Sequence, residues 1–411
     1  MDSLKTCKSP GKRRTKIPDK PNRPFKLWAI LKQCIGMELT KISMPININE
    51  PLSFLQRLTE NFEYSTILDR ANATEDSCEQ LSLVAAFIVS SYGNTSLRTN
   101  KPFNPLLGET YECDRTDDLG WRALSEQVSH HPPISAQYVE GNSGWCSWQN
   151  FSLTTKFRGA NISINPHGIV HLHFNNTGNH YSWRKVTTKI SNFILGKVCV
   201  DNHGQMLIVN HQTGDKCCLN FIPQSYFSKE TPKKVTGQVM DQDGTCKWLI
   251  SGVWDEKVEA CRVTSQSTSV GKPVYETDLY QVLWMRSPCN PEAERYYNFS
   301  EFAAQLNEPD EDVCPTDSRH RTDQRLMEKG LWDEANEEKQ RLEEKQRITR
   351  RRRENEATKA VKEGQEYPAY SPKWFKKGTE ETTGDPIFLF THEYWDCKER
   401  QDWSRCPDIY S

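Results

Sequence analysis

The chain has 411 residues, 36% of them hydrophobic, and a formal net charge of −2. That apolar content can bury a sizeable core, and the near-neutral charge excludes a surface that traps polyanions as a whole, so any cationic site has to be local. No apolar run reaches the roughly 18–20 residues that cross a bilayer as a helix, and the basic N-terminus lacks the apolar stretch of a secretory signal.

Fourteen cysteines are scattered from Cys7 to Cys406 without a CxxC pair. The spacing suits neither a zinc module nor a disulfide framework, and reduced thiols of a cytosolic protein are expected. Sequons such as those at Asn94 and Asn298 carry no weight without a secretory signal.

Residues 1–24 read as a polar, basic, disordered leader. The next stretch carries Phe25, Leu27, Trp28, Ile30, Leu31 and Ile35, and Gly36 is a helix stop. Its apolar side chains cover more than one face. That fits an ordinary core helix or a small movable cover that alternates between a ligand and a membrane surface. Residues 44–49 read as extended, with Asn49 capping a helix that has Pro51 in its first turn. Leu52, Leu55, Leu58 and Phe62 give that helix one apolar face. A second apolar helix is expected over about 78–91, and the helices are expected to form a small bundle against the main body.

Between 110 and 285 short apolar runs at 169–174, 181–186, 206–209 and 248–254 alternate with turn signals. The signals are Gly141-Asn142, Pro166-His167-Gly168, Asn202-His203-Gly204, Thr213-Gly214-Asp215 and Asp243-Gly244. Such spacing predicts a large antiparallel barrel or sandwich, and a many-stranded barrel can enclose a ligand cavity. Residues 290–315 read as loop and 322–363 as one highly charged helix. The aromatic-rich tail from Gly364 reads as packed.

Three features carry chemistry. Residues 126–136 read Glu-Gln-Val-Ser-His-His-Pro-Pro-Ile-Ser-Ala. Proline restricts both itself and the residue before it, so His130 and His131 become a rigid double donor for an anionic group. In Lys101-Pro-Phe-Asn104-Pro-Leu-Leu-Gly-Glu, two prolines bracket an amide and follow a cation. This suits orientation of a phosphate or hydroxyl, or a plain turn between helix and strand. Lys339, Glu343 and Arg347 are spaced i, i+4, i+8, which stacks them on one helical face over about 12 Å; a solvated face is the alternative. Arg350 to Arg353 reads as a solvated or membrane-facing run, since no aromatic interleaving supports nucleic-acid binding.

In this order the three motifs resemble the ligand-binding domain of the oxysterol-binding protein family of lipid carriers. The likeness continues through Met44-Pro45 and the segment from Asn49-Glu50-Pro51 to Thr59-Glu60. It includes Pro315-Thr316-Asp317-Ser318-Arg319 with Asp323-Gln324-Arg325, and Tyr394-Trp395-Asp396-Cys397-Lys398 with Cys406-Pro407-Asp408. It covers roughly residues 15–411. The resemblance implies an α+β fold: a large near-complete antiparallel β-barrel enclosing a lipid tunnel, with an N-terminal lid and helices and a C-terminal helical and aromatic region. The lipid-binding domain would span 25–411, with the lid at 25–39, a helical segment at 49–93, the barrel at 100–285 and a C-terminal helical subdomain at 290–411.

The resemblance also implies roles. Phe25, Leu27, Trp28, Ile30, Leu31, Ile35 and Leu39 would form the lid over the tunnel. Lys101, Asn104, His130, His131, Lys339, Glu343 and Arg347 would bind a phosphoinositide headgroup. The implied partners are a sterol (cholesterol or oxysterol), phosphatidylinositol 4-phosphate and a transient membrane surface, with no nucleic acid, cofactor or metal. The implied activity is exchange of those lipids between membranes by a cytoplasmic protein, peripheral on intracellular membranes such as endoplasmic reticulum–Golgi contact sites. The pleckstrin-homology domain and acidic receptor-binding motif of longer members are not found in these residues. Two alternatives stay open: a sensor of the same lipids without bulk transfer, and a phosphatidylserine/phosphatidylinositol 4-phosphate exchanger.

The chemistry of the two cargoes differs. A headgroup phosphate needs several donors; Glu343 can accept inositol hydroxyls and hold its cationic neighbours, and a phosphate is expected to raise the histidine pKa values. A sterol draws its affinity from buried apolar area at roughly 25 cal/mol per Å². An enzyme is not expected: no nucleophile elbow, phosphate loop or HExxH motif is present, and beyond Glu126 the His-His pair has no nearby ligand to complete a metal site.

Overall fold

The computed structural model describes residues 13–23, 44–159, 161–192, 198–224, 231–269 and 271–411. The expected lid residues Phe25, Leu27, Trp28, Ile30, Leu31, Ile35 and Leu39 lie outside them.

Strand β1 (Asn49–Ser53) leads directly into helix α1 (Phe54–Thr59). The helix start differs from the sequence expectation. Ser53 is the cap: its Oγ accepts from the Gln56 amide at 3.3 Å, and its own amide donates to Gln56 Oε1 at 2.7 Å. This reciprocal box satisfies two otherwise orphaned donors and outcompetes Asn49 as a start. Asn49 instead spends its side chain on the next strand. Its Nδ2 donates to the Lys101 carbonyl at 3.1 Å, where β1 pairs in parallel with β2 (Lys101–Phe103).

Helices α2 (Thr66–Asn72) and α3 (Ser77–Ser90) follow. Asp76 caps α3, accepting from the Glu79 amide at 2.8 Å. Twelve residues of α3 are buried, as expected of a helix that is apolar all round. It therefore does not stand in a side bundle. The main sheet wraps it, and it packs against strands β12 (Lys216–Phe221), β13 (Lys234–Met240), β14 (Cys246–Val253), β15 (Lys257–Ser269) and β17 (Gln281–Met285).

The sheet has fifteen strands. Before those just named come β3 (Thr110–Arg115), β4 (Trp121–His130), β5 (Pro133–Gly141), β6 (Trp145–Phe157), β7 (Asn161–His167), β8 (Val170–Phe174), β9 (His180–Trp183), β10 (Thr187–Ser191) and β11 (Cys199–Asn210). The path runs β3-β4-β5-β6-β7-β10-β11-β12-β13-β14-β15-β16, with β16 at Lys272–Thr277; β8 and β9 bridge β6 to β11, and β17 pairs with β15. This is the large antiparallel sheet that the sequence leads one to expect. Gly168, Gly214 and Gly244 turn the chain where the sequence places turns. Asn202-His203-Gly204 does not turn it. Those residues lie inside β11, whose 199–203 half pairs with β10 and whose 204–209 half pairs with β12. Gly204, at φ +126°, lets the strand bend from one neighbour to the next.

The C-terminal part opens with α4 (Glu301–Gln305). The single helix expected over 322–363 is two helices, α5 (Thr322–Glu328) and α6 (Trp332–Lys362). Gly330 at φ +79° ends the first in the left-handed conformation that only glycine adopts without strain. A hairpin of β18 (Phe375–Thr379) and β19 (Pro386–Phe390) and helix α7 (Glu393–Arg400) complete the chain. Trp374, Phe375, Phe390 and Tyr394 pack with Leu124, Val128 and Ala136 into a second core, so the aromatic tail is packed against β4 and β5. No helix among the described residues is long and apolar enough to cross a membrane.

Candidate functional site

A cavity of about 380 Å³ lies between α1, the segment after α3, and strands β6, β7 and β10. That is within the roughly 300–1,000 Å³ of small-molecule sites. Phe54, Leu58, Tyr92, Phe151, Ile164 and Ile190 supply apolar wall, while Lys101, Asn104 and Gln127 stand among its polar lining. Arg98 and Glu60 also line it, but their charges are spent on each other and on Glu50: Arg98 bonds Glu60 at 2.9 Å and Glu50 at 2.8 Å.

The 101–109 loop is held from below. Glu109 is fully buried. It accepts from the Leu106 amide at 2.9 Å, from Ser318 Oγ at 2.7 Å and from Arg321 Nη1 at 2.9 Å. Arg321 Nη1 also donates to the Asn104 carbonyl at 2.8 Å, and its far edge chelates Asp323 at 2.8 and 3.0 Å. The Asn104 backbone is thereby fixed while the residue itself stays exposed at the cavity. Gly108 belongs to the same turn: its φ is +82°, and a Cβ there would sit 2.8 Å from the Tyr370 hydroxyl.

Helix α6 crosses this loop. Its buried residues are Trp332, Ala335, Lys339 and Leu342, a narrow apolar stripe in which Lys339 occupies a core position. Lys339 Nζ donates to the Met44 carbonyl at 2.9 Å and to Glu343 Oε1 at 2.6 Å. Arg347 reaches Glu343 Oε2 at 3.4 Å and Glu344 at 2.8 Å. Burial, then the charge of Lys339, pushes the Lys101 ammonium down to about 8, against a smaller opposing effect of Glu343. Lys101, Lys339 and Glu343 therefore share one electrostatic neighbourhood, although Lys101 lies more than 230 residues before the other two in sequence.

His130 and His131 stand at the β4–β5 turn, their rings edge to face with centroids 4.9 Å apart; the peptide from His131 to Pro132 is cis. Burial first, then His131, pushes His130 down to about 4. The site alone thus holds it neutral, and any rise has to come from an anion. His130 Nε2 is 2.5 Å from Gln346 Nε2, and Gln346 Oε1 accepts from the Leu107 amide at 2.9 Å. One amide on α6 therefore ties the histidine turn to the 101–109 loop.

Three participants were not singled out from the sequence. Gln346 lies seven residues after Lys339, so extending the 339/343 stripe by one helical step would have reached it. Arg321 falls between the two segments, 315–319 and 323–325, that carry the resemblance, and nothing local reveals that it serves three partners. Lys185 follows β9 and lines the cavity beside Phe151, its Nζ 5.8 Å from that ring. Burial alone pushes it down to about 8, and among the described residues no carboxylate pairs with it. Strand alternation cannot distinguish such an inward lysine from a surface one.

A family model described as oxysterol-binding protein matches residues 26–399. The chain is 51% identical over 404 residues to oxysterol-binding protein 2 of Mus musculus, with 97% of this chain and 44% of that protein covered. It is 36% identical to oxysterol-binding protein-related protein 2 of Mus musculus, covering 97% and 88%. The chain thus spans under half the length of several curated relatives that it matches. Among solved structures, the Osh1 ORD domain in complex with cholesterol superposes with a TM-score of 0.86 at 35% identity, covering 98% of this chain and 95% of that one. The Osh3 ORD in complex with PI(4)P from Saccharomyces cerevisiae superposes at 0.79 and 29%, covering 97% and 99%. An apolar cavity lined in part by Lys101 and Asn104, a fifteen-stranded antiparallel sheet around a buried helix, and these likenesses lead to one conclusion: the chain belongs to the oxysterol-binding protein family.

Proposed function

We propose that this chain is a lipid carrier that holds a sterol or phosphatidylinositol 4-phosphate in one cavity and exchanges them between membranes. The observation that carries the reading is an apolar cavity lined in part by Lys101 and Asn104, with Lys339 and Glu343 of α6 near Lys101 and the His130 turn tied to the same loop through Gln346. The sterol and PI(4)P held by the two solved relatives support both cargoes. Lys101, His130, His131, Lys339 and Arg347 supply donors for the phosphates. Asn104 and Glu343 suit the inositol hydroxyls, and the apolar walls take the acyl chains or the sterol rings. Net direction follows the lipid gradients, because binding shifts populations without doing work.

The test is transfer between two liposome populations, one holding labelled sterol and the other phosphatidylinositol 4-phosphate. Sterol movement should accelerate when the phosphoinositide is present in the acceptor. Binding of both lipids without movement would leave a sensor in place of a carrier. Lipids copurifying with the chain, read by mass spectrometry, would expose phosphatidylserine if that were the second cargo.

Lys101 also makes phosphoinositide affinity depend on pH. Lys101 titrates at about 8 before binding, and an adjacent phosphate raises that value because it favours the charged form. A ligand that raises a pKa binds more tightly with the proton on, so affinity is full below pH 8 and falls as pH rises through it. Between pH 7 and 9 the dissociation constant should weaken by about tenfold. Lys101→Arg, charged throughout that range, should flatten the slope even if absolute affinity drops. An equally steep profile in that variant would assign the proton to another group.

A further inference from the structure

Away from the cavity, four histidines gather on the outer face of β8 and β9 and just beyond β11. His171 and His180 form the centre, with ring centroids 5.3 Å apart. His211 lies 5.3 Å and His173 6.4 Å from His180 by the same measure. The turn of the β18–β19 hairpin folds over them and adds Glu380. One ligand atom from each of His171, His180 and Glu380 can be chosen so that all three lie within 4.8 Å of one another. All three residues are buried, at 0%, 8% and 5% exposure. This cluster takes no part in the lipid site.

We propose that His171, His180 and Glu380 bind a divalent transition-metal ion, best matched by Zn²⁺, that clamps the C-terminal hairpin to the barrel wall. His171 Nδ1 and His180 Nε2 face each other at 3.1 Å. Two nitrogens each about 2.05 Å from a tetrahedral zinc stand roughly 3.3 Å apart, so little movement admits the ion. Two imidazoles and one carboxylate form a donor set that zinc accepts, leaving one position for water or for His211 after a ring rotation.

The surroundings are built as a supporting shell. His180 Nδ1 is 2.9 Å from Thr382 Oγ1, which orients the ring so that Nε2 points to His171. Such a partner on the outer nitrogen is what fixes metal-ligating histidines. Glu380 Oε2 accepts from the Thr382 and Thr383 amides at 2.9 and 2.6 Å, so the carboxylate is held in place by its own turn. Trp148, opposite His171 in the β6–β8 register, stacks on it at 5.3 Å and 9° and flanks the cluster on the same sheet face.

One feature is unexplained by packing alone. Glu380 is a buried carboxylate with no lysine or arginine ion pair among the described residues. A cation between the three side chains supplies the missing charge. The exposed Thr382 and His211 leave the cluster only one layer below the surface, which gives the ion a way in.

The test uses the full chain stripped with EDTA. Co²⁺ is titrated in and followed by visible absorption, and Zn²⁺ retained after dialysis is counted by mass spectrometry. The expected result is one equivalent of metal, with cobalt d–d bands and no sulfur charge-transfer band. His180→Gln and Glu380→Gln should each weaken binding by at least about tenfold, while His130→Ala with His131→Ala should leave it unchanged. Melting in EDTA checks folding. Should His180→Gln not fold, Glu380→Gln decides, since its amide oxygen still accepts from the turn. Absence of stoichiometric metal, a sulfur charge-transfer band, or equal binding by a folded Glu380→Gln would each overturn the proposal and leave a packed histidine pair.

Discussion

Replacing His130 and His131 together with alanine should abolish extraction of phosphatidylinositol 4-phosphate from liposomes while sterol extraction stays near the wild-type level. In the proposed function each ring donates to the headgroup phosphate, and a hydrogen bond to a charged group contributes about 1.5–3 kcal/mol. Loss of both therefore weakens phosphoinositide binding by roughly 10²–10⁴-fold. The sterol has one hydroxyl and depends on apolar wall such as Phe54, Phe151 and Ile164, which the double variant leaves alone. Folding should survive, since the turn keeps its β4–β5 pairing and Gln346 keeps its bond to the Leu107 amide. Circular dichroism and sterol extraction on the same preparation provide the control. Parallel loss of both lipids in a folded protein would remove the histidines from headgroup recognition.

The elements most legible in sequence were those whose signal is local. The antiparallel strands between 110 and 285 follow from short apolar runs separated by turns at Gly168, Gly214 and Gly244. The charged helix over 332–362 follows from its composition, and the packed tail from its aromatics. What misled was competition between neighbours. Asn49 and Ser53 can both cap a helix, and the choice fell to Ser53 because Gln56 lies three residues on to complete the box. Asn202-His203-Gly204 has turn composition, yet pairing with β10 on one half and β12 on the other holds it extended. The stretch over about 78–91 reads as helix, and α3 forms there at Ser77–Ser90, but no local signal says that a sheet will wrap around it.

For the site the division is similar. The motif residues on rigid turns could be named one by one, because prolines and their flanking cations stand out. That Lys101 would sit beside Lys339, or that Gln346 would join His130 to Leu107, depends on how α6 lies across the barrel. Helix periodicity places residues on a face and does not say what the face meets. Lys339 illustrates the point: its spacing puts it on one face with Glu343 and Arg347, either solvated or facing a headgroup, and the structure buries it in the stripe between Ala335 and Leu342.

Arg321 is the residue whose loss should damage both fold and site. Its side chain is buried and binds Glu109, Asp323 and the Asn104 carbonyl at once. Arg321→Met keeps much of the volume and removes the charge, leaving two buried carboxylates without their cation. Breaking a buried ionic cluster in this way costs on the order of 3–5 kcal/mol, to be measured by urea unfolding. The deficit should vary with pH in a definite sense. Burial already holds the Glu109 carboxyl above its ordinary value, with Arg321 the largest opposing influence. Without Arg321 the folded carboxyl rises further, so the folded state binds more protons than the unfolded chain, and stability falls as pH increases between the two values. The variant should therefore lie closer to wild type at pH 5 than at pH 8. Arg321→Lys keeps a charge but cannot span a carboxylate on each side and a carbonyl, so it should fall between the two. In whatever fraction stays folded, the 101–105 backbone loses its tether to α5, and phosphoinositide extraction should fail before sterol extraction does. A Met variant within 1 kcal/mol of wild type, with no pH trend in its deficit, would show that this cluster does not hold the loop.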